Sequence, residues 1–388
     1  MRMDYQRLLA KIPQQIKPSG IRRFFDLATE MEGVISLGVG EPDFKTPWII
    51  RQAGIDSLDK GQTWYTGNAG LSVLRAEIAK YLARRFDLEY EPGQVLVTVG
   101  GSEAIDLALR AFLNPGDEVL VPEPSFVCYA PIAQLCGGVA VPIVTKEEDE
   151  FRLTAQALRD AITPKTKILI FPFPNNPTGG VMRREHLQEI AEVLRGTDIM
   201  VLSDEIYGEL TYGGRHVSIA NIPDMKERTV LVSGFSKAYA MTGWRLGYVA
   251  APQPVLDIML KIHQYALMCA PTTSQYAAIE ALRSCDEEIE KMAWEYNTRR
   301  LYLVKRLNEM GLHCFTPGGA FYVFPSIQST GYTSLEFCEN LLHAQKVAVV
   351  PGDAFGESGE GFVRISYSYS MEHLQEAMNR IETFISGK

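Results

Sequence analysis

Lys237 stands among small and apolar residues in the stretch SGFSKAYAMTGWRLGY, residues 233–248. It follows the apolar run 229–232, which reads as a buried strand, and Arg245 lies eight residues further on. An apolar setting and a nearby guanidinium both lower the pKa of a lysine. A neutral lysine is a nucleophile that can bond to a carbonyl carbon. The stretch therefore predicts a reactive amine at the end of a strand.

Other reactive or ligand-binding groups follow three further apolar runs that also read as strands. Gly101, Ser102 and Glu103 come after VLVTV (95–99), Asn176 after KILIF (167–171), and Asp204 and Tyr207 after IMVLS (199–203). Glycines that open a helix let backbone N–H groups bind an anion. Each motif alone is more often a tight turn, a helix cap or a solvated charge. Their coincidence at several strand ends favours one shared ligand.

These groups suit a ligand with a phosphate, a basic ring nitrogen, a phenolic oxygen and an aldehyde, and pyridoxal phosphate has all four. Arg245 can bind phosphate through two parallel hydrogen bonds. Asp204 can keep a ring nitrogen protonated, so that the ring accepts electrons from a carbanion. Asn176 and Tyr207 can hydrogen-bond the phenolic oxygen, while Lys237 can bond to the aldehyde.

The order of predicted elements indicates an α/β fold with a mostly parallel sheet covered by helices on both faces. Short apolar runs alternate with helical patterns at 95–99, 118–122, 167–171, 199–203, 229–233 and 245–250. Such sheets bind ligands beyond the carboxyl ends of their strands. After residue 285 the pattern changes to a long charged helix, strand-like pieces and a final helix. We therefore expect a large cofactor-binding domain at 45–285, with an N-terminal arm (1–44) and a smaller α+β domain (286–388).

The composition narrows the class of protein. Of the 388 residues, 46% are hydrophobic and 22% charged, which is typical of a globular protein. The net charge of -9 argues against a nucleic-acid or anionic-membrane partner. We see no signal peptide and no membrane-spanning stretch. The six cysteines are scattered without CxxC pairs, which indicates a cytoplasmic protein with reduced thiols and no metal site.

The stretch around Lys237 resembles the lysine signature of the class I/II aminotransferases, which are fold-type I pyridoxal-phosphate enzymes. Seven other family motifs occur in family order over almost the whole chain: LGVGEPDFKTP (37–47), YTGNAGLSVLR (65–75), NNPTGG (175–180), SDEIY (203–207), GGAFYVF (318–324), VVPGDAFG (349–356) and VRISY (363–367). The resemblance implies a large domain with a mostly parallel seven-stranded sheet between helices, plus a smaller α+β domain. Within the aminotransferases, the chain resembles the subgroup of aromatic, aspartate and acetyl-diaminopimelate enzymes.

The resemblance also implies a role for each matched residue. Lys237 is the Schiff-base lysine and proton carrier, Asp204 the partner of the ring nitrogen, and Tyr207 and Asn176 the partners of the phenolic oxygen. Ser236, Arg245 and the backbone of Gly101, Ser102 and Glu103 bind phosphate, Phe126 stacks on the ring, and Tyr65 reaches the phosphate of the neighbouring subunit in a homodimer. Arg364, Gly40 and Asn176 bind the substrate. Relatives often have Ser or Thr where Gly234 stands, so one phosphate hydroxyl is missing or Ser233 replaces it. Cis peptide bonds are expected at Glu123–Pro124 and Asn176–Pro177.

The implied activity is a ping-pong transfer of an α-amino group from an L-amino acid to a 2-oxo acid, through pyridoxamine phosphate. A C–S β-lyase and a non-catalytic binding protein on the same fold are the alternatives. Related aspartate enzymes often carry a lysine at the position of Ser102, which favours an aromatic or diaminopimelate-type donor here, with 2-oxoglutarate as acceptor. An aspartate donor remains open. Phe25, Tyr129 and Tyr322 are predicted walls of the substrate pocket.

Overall fold

A computed structural model of the chain describes residue 3 and residues 5–18 and 31–387. The helices are α1 (Tyr5–Leu8), α2 (Lys11–Gln15), α3 (Trp48–Asp59), α4 (Ser72–Phe86), α5 (Gly100–Phe112), α6 (Tyr129–Leu135), α7 (Ala155–Ala161), α8 (Arg184–Leu194), α9 (Gln253–Ala266), α10 (Thr272–Ser284), α11 (Asp286–Glu309), α12 (Ser334–Gln345) and α13 (Met371–Ser386). The strands are β1 (Ile35–Ser36), β2 (Val95–Thr98), β3 (Glu118–Glu123), β4 (Val139–Val144), β5 (Thr166–Phe171), β6 (Met200–Asp204), β7 (Thr229–Gly234), β8 (Gly247–Ala250), β9 (Tyr322–Val323), β10 (Val347–Ala348), β11 (Val350–Pro351) and β12 (Val363–Ser366).

A seven-stranded sheet forms the centre of the molecule, in the order β2-β8-β7-β6-β5-β3-β4. All neighbours are parallel except β8, which is antiparallel to both β2 and β7. Most residues of the inner strands are buried because helices cover both faces of the sheet. The predicted mostly parallel α/β fold is confirmed.

All six strands predicted from apolar runs are present, with ends that differ by one or two residues. The seventh, β4, was not recognised from the pattern. It lies at the edge of the sheet, contains Pro142, and exposes Val139 and Val144. A proline is tolerated in an edge strand, where its missing N–H faces away from the ladder. The half-exposed run therefore looks less like a strand than its neighbours do.

The helix that follows β2 begins directly at the strand end. Its apolar side chains Ile105 and Leu109 recur at helical spacing and pack on the sheet, and the sequence Asn114-Pro115-Gly116 prevents continuation beyond the helix end. The carboxyl ends of β2, β5, β6 and β7 all lie on the same side of the sheet. The N-terminus of α5 therefore lies close to the residues that follow the other strands.

Elements from the two ends of the chain form a second group. Strand β1 pairs in parallel with β10, and β11, β12 and β9 form an antiparallel sheet. Strands β1, β9, β10 and β12 share an apolar cluster with α11, α12 and α13. The domain boundaries predicted at 44/45 and 285/286 stay a prediction.

Both predicted cis peptide bonds, Glu123–Pro124 and Asn176–Pro177, are present, and Phe173–Pro174 is a third. Within residue 3 and residues 5–18 and 31–387, no helix is long and apolar enough to cross a membrane. In the same part of the chain no three His, Cys, Asp or Glu side chains are grouped as metal ligands would be.

Candidate active site

A cavity of about 640 Å³ opens at the carboxyl ends of the central strands. Eleven of the thirteen residues predicted for the site line it: Gly40, Gly101, Ser102, Phe126, Asn176, Asp204, Tyr207, Ser236, Lys237, Arg245 and Arg364. Tyr129 and Tyr322, which were predicted as pocket walls, also line it. Residues far apart in sequence are therefore brought to one volume, because the strands that carry most of them end at the same edge.

The amine of Lys237 lies inside this cavity. Its Nζ donates a hydrogen bond to the carbonyl oxygen of Gly40 at 2.6 Å. Burial lowers the pKa of Lys237 from 10.5 to about 8, against the opposing effect of the Glu41 carboxylate. Arg364 and Arg245 also contribute to this lowering of the pKa, while Asp204 opposes it. A substantial fraction of the amine is therefore neutral near pH 8, as a nucleophile requires.

Asp204 is a buried carboxylate at the end of β6. Its Oδ2 accepts a hydrogen bond from the Tyr129 hydroxyl at 2.8 Å, and its Oδ1 accepts one from the backbone N–H of Ile206 at 3.2 Å. Burial raises the pKa of Asp204, although both hydrogen bonds act in the opposite direction. The donors hold the carboxylate in one orientation at the cavity wall.

Arg364 is a buried arginine in β12. Its Nη1 donates to Asn176 Oδ1 at 2.8 Å and its Nη2 to the carbonyl of Gly38 at 2.6 Å. No carboxylate of the described residues forms an ion pair with it, and its buried Nε has no hydrogen-bond partner in that part of the chain. Burial lowers the pKa of Arg364. A buried guanidinium with an unused donor is a binding site for an anion.

Two tyrosine hydroxyls meet beside this arginine. Tyr207 and Tyr322 place their hydroxyl oxygens 2.8 Å apart, and burial raises the pKa of both phenols. The rings of Tyr322 and Phe355 lie 4.5 and 4.7 Å from the Arg364 guanidinium carbon. The pair of phenols stays protonated, and each oxygen can serve a ligand as donor or acceptor.

The wall of the cavity at Gly100 and Arg245 is suited to bind an anion. Gly100 opens α5 with a φ of +74°, which favours glycine, and a Cβ there would lie 2.7 Å from Arg245 Nη2. Arg245 has a φ of +51°, and its Nη1 donates to the carbonyl of Thr242 at 3.1 Å. Ser236 lines the same cavity. The helix N-terminus and the guanidinium thus lie next to each other.

Some predicted residues lie elsewhere. The side chain of Glu103 contacts His263 and does not line the cavity, and Tyr65 is 77% exposed in the loop before α4. Ser233 does not line the cavity either: its Oγ faces the carbonyl of Glu205 at 3.4 Å, so it does not take the place of the missing hydroxyl. A Cβ on Gly234 would lie 2.9 Å from the Gly247 Cα, which leaves no room for a larger residue. Phe25 lies outside the described residues.

Sequence reasoning did not identify Gly38 and Glu41 as part of the cavity, nor the contact between Tyr129 and Asp204. Gly38, whose carbonyl binds Arg364, and Glu41 flank Gly40 in one motif, so their proximity was open to inference. The tie between Tyr129 and Asp204 had no signal, because the two residues are 75 positions apart. Their contact depends on how α6 packs on the sheet.

A mostly parallel seven-stranded sheet with an amine and a carboxylate beyond its strand ends, and a buried guanidinium from a second sheet in the same cavity, is the architecture of fold-type I enzymes. Residues 32–381 match the family of class I and II aminotransferases. The chain belongs to this family and is an enzyme of the transaminase class.

Individual relatives match over nearly their full length. The putative aminotransferase YugH of Bacillus subtilis is 56% identical, over 97% of this chain and 98% of that protein. An aspartate aminotransferase of Pyrococcus abyssi is 49% identical, over 96% and 97%. The crystal structure of the aromatic aminotransferase from Pyrococcus horikoshii OT3 is similar with a TM-score of 0.90 at 47% identity, covering 95% of this chain and 99% of that chain.

Proposed function

We propose that this chain binds pyridoxal 5′-phosphate and moves the α-amino group of an L-amino acid to a 2-oxo acid by a ping-pong mechanism. The observation that carries the proposal is the Lys237 amine, whose pKa is lowered to about 8 inside the cavity. An amine in that state is unusual for a lysine and suits covalent bonding to an aldehyde.

The side chains present fit this cofactor. Arg245, Ser236 and the N-terminus of α5 would bind its phosphate, and Phe126 would pack against its ring. The Asp204 carboxylate would bind the ring nitrogen, while Asn176 and Tyr207 would bind the phenolic oxygen. The unused Nε of Arg364 leaves the guanidinium to pair with the carboxylate of the substrate.

When bound, pyridoxal phosphate supplies an aldehyde for the substrate nitrogen and a protonated ring that accepts the electron pair left at Cα. The protein does the rest. Arg364 and the backbone of Gly40 orient the substrate carboxylate. Lys237, once its amine is free, would take the proton from Cα of the donor. It would then deliver a proton to the carbon of the cofactor that carried the aldehyde oxygen. Asp204 keeps a proton on the ring nitrogen, because a nearby carboxylate favours the charged ring.

For the donor, we propose an amino acid with an aromatic or diaminopimelate-type side chain, and 2-oxoglutarate as acceptor. Ser102 stands where related aspartate enzymes often carry a lysine, and Phe126 and Ile105 line the same cavity. Similar proteins include both an aspartate and an aromatic aminotransferase. The serine at this position and the apolar side chains of Phe126 and Ile105 support the second type, since an aromatic side chain needs no cation there.

We further propose a homodimer in which Tyr65 reaches the phosphate of the neighbouring subunit. Exposed apolar side chains surround Tyr65: Trp64, Tyr265, Leu267 and Met268. Hydrogen bonds from Asn68 to the Met268 carbonyl and from Thr272 to the Trp64 carbonyl join the Tyr65 loop to the segment between α9 and α10 and to the start of α10. An exposed apolar surface on ordered loops supports burial against another chain. The N-terminal arm is also proposed to pack across the partner subunit. Leu8, Leu9 and Ile12 are exposed, while Ile21, Phe24 and Phe25 lie outside the described residues.

The proposal is tested by a spectrum and a donor screen. The protein with added pyridoxal phosphate should show an absorbance band that amino donors remove and 2-oxo acids restore. Aromatic donors, diaminopimelate derivatives and aspartate are then compared with 2-oxoglutarate as acceptor. A band that no amine changes would indicate a binding protein, and pyruvate released from cysteine conjugates without an oxo-acid acceptor would indicate a lyase.

A further inference from the structure

A buried Glu–His pair lies next to the glycine turn and outside the cavity. Glu103, in the first turn of α5, and His263, in α9, bring Oε1 and Nδ1 to 2.6 Å. The His263 side chain is completely buried and that of Glu103 is 9% exposed. Neither residue lines the cavity, and the proposed chemistry uses neither side chain.

The second carboxylate oxygen of Glu103 binds the turn itself. Glu103 Oε2 accepts a hydrogen bond from the backbone N–H of Val99, the residue before Gly100. Val99 is the residue that caps α5. A first-turn side chain that reaches back to this N–H fixes the conformation in which the helix begins. His263 in turn fixes the position of the Glu103 carboxylate.

The turn sets the distance between the two parts of the proposed phosphate site. Gly100 lies against Arg245, since a Cβ there would be 2.7 Å from Nη2. On the other side, a Cβ on Gly247 would be 2.9 Å from the backbone nitrogen of Gly101. With such close contacts, a small shift at Val99 moves the N-terminus of α5 relative to the guanidinium.

A contribution to folding stability alone does not explain the Glu103–His263 pair. His263 Nε2 is buried and has no hydrogen-bond partner within the residues that the structure describes. An unpaired buried nitrogen costs free energy, and apolar replacements of buried ion pairs are often neutral or stabilising. Ile105 and Met259 already form an apolar contact region between the same two helices. The position of Glu103 and His263 is better explained by the geometry that they impose on Val99.

We propose that Glu103 and His263 are positioning residues for the cofactor phosphate, which hold the glycine turn so that the N-terminus of α5 and Arg245 converge on one anion. The inference rests on the proposed function, because pyridoxal phosphate supplies that anion. It gives the Glu103 side chain a role of its own, in addition to the backbone N–H that the family resemblance uses.

The test measures the affinity of the cofactor-free protein for pyridoxal phosphate, followed by absorbance. Glu103→Ala loses the bonds to Val99 and His263, and its Kd should rise about tenfold or more, as for the loss of a hydrogen bond to a charged group. Glu103→Gln keeps an acceptor for Val99 and a donor for His263, so its Kd should stay within about threefold of wild type. Asp106→Ala, on the same helix one turn on, is the matched control and should bind like wild type. In Glu103→Ala the Kd for pyridoxal phosphate should change by a larger factor than the kcat at saturating cofactor, and in Asp106→Ala neither should change.

A second pair keeps the test decisive if Glu103→Ala does not fold. His263→Gln can still donate to Glu103 and should bind like wild type, whereas His263→Phe fills the space without that bond and should bind like Glu103→Ala. Wild-type affinity in Glu103→Ala would overturn the inference, and if Glu103→Ala does not fold, wild-type affinity in His263→Phe would do so. So would losses of affinity that follow the thermal stability of the cofactor-free variants, with no rescue by glutamine. If wild-type protein itself fails to bind pyridoxal phosphate, the proposed function fails instead.

Discussion

Lys237 has the lowered pKa of a reactive amine because its Nζ is removed from water and accompanied by two arginines. Lys237→Ala should abolish amino transfer, since it removes both the nucleophile and the carrier of the Cα proton. The fold should persist, because the lost side chain projects into a cavity. Half-reactions with an amino donor and thermal unfolding check both expectations. Lys305→Ala, an exposed lysine on α11, is the control, and an active Lys237→Ala protein with an amine-sensitive band would refute the assignment.

The pH dependence of cofactor uptake follows from the same group. Only the neutral amine attacks an aldehyde, so the rate of bonding to pyridoxal phosphate should rise as the pH passes through about 8 and level off above it. A lysine with the ordinary pKa of 10.5 would give a rate that still rises beyond pH 9. Stopped-flow absorbance of the cofactor-free protein across pH 6 to 10 distinguishes the two profiles.

Asp204 is expected to matter through its charge. Asp204→Asn keeps the shape of the side chain but cannot hold a proton on the ring nitrogen. The turnover number should therefore fall at least about tenfold, because the activation barrier rises by up to several kcal/mol. Tyr129→Phe removes only the hydrogen bond to Asp204 Oδ2 and should have a much smaller effect. Steady-state kcat at saturating cofactor is the measurement. A loss of less than tenfold in Asp204→Asn would mean that this carboxylate is not the partner of the ring.

At the scale of elements, Gly100 in the turn between β2 and α5 can be compared with Gly116, which lies between α5 and β3. Gly100 and Gly116 both have positive φ, at +74° and +90°, but only Gly100 has a neighbour, Arg245, where a Cβ would stand. Gly116→Ala should therefore cost only backbone strain, roughly 1–2 kcal/mol of unfolding free energy. Gly100→Ala should cost at least as much and also weaken cofactor binding, because it displaces the guanidinium. Equal cofactor affinity in the two variants would contradict this account.

The strands that carry the site could be predicted because they are short, apolar and bounded by Gly, Pro or Asp. Strand β4 could not, since its exposed valines and Pro142 give no strand pattern at the edge of a sheet. The residue types at the strand ends indicated a shared ligand, and their cavity follows from the common direction of the strands. Contacts such as Tyr129 with Asp204, or Glu103 with His263, depend on helix packing, which periodicity does not encode.

At the scale of the whole molecule, we expect a homodimer. Light scattering should give twice the 43.3 kDa mass of one chain. Tyr65→Phe should weaken cofactor retention more than it slows turnover, because it removes one hydrogen bond to phosphate worth about 1.5–3 kcal/mol. Tyr265→Phe, which changes another exposed phenol in the last turn of α9, is the control. A fully active monomer would exclude a shared site.

The side chain of Arg364 is already confined to one conformation by Asn176 and Gly38, with the rings of Tyr322 and Phe355 beside it. A mobile arginine loses rotational entropy when it captures a carboxylate, at a cost of about 0.5–1.5 kcal/mol. Here that entropy is lost when the chain folds, and binding incurs no second loss on the protein side. Small rigid monocarboxylates should therefore compete with the amino donor although they lack a side chain to recognise.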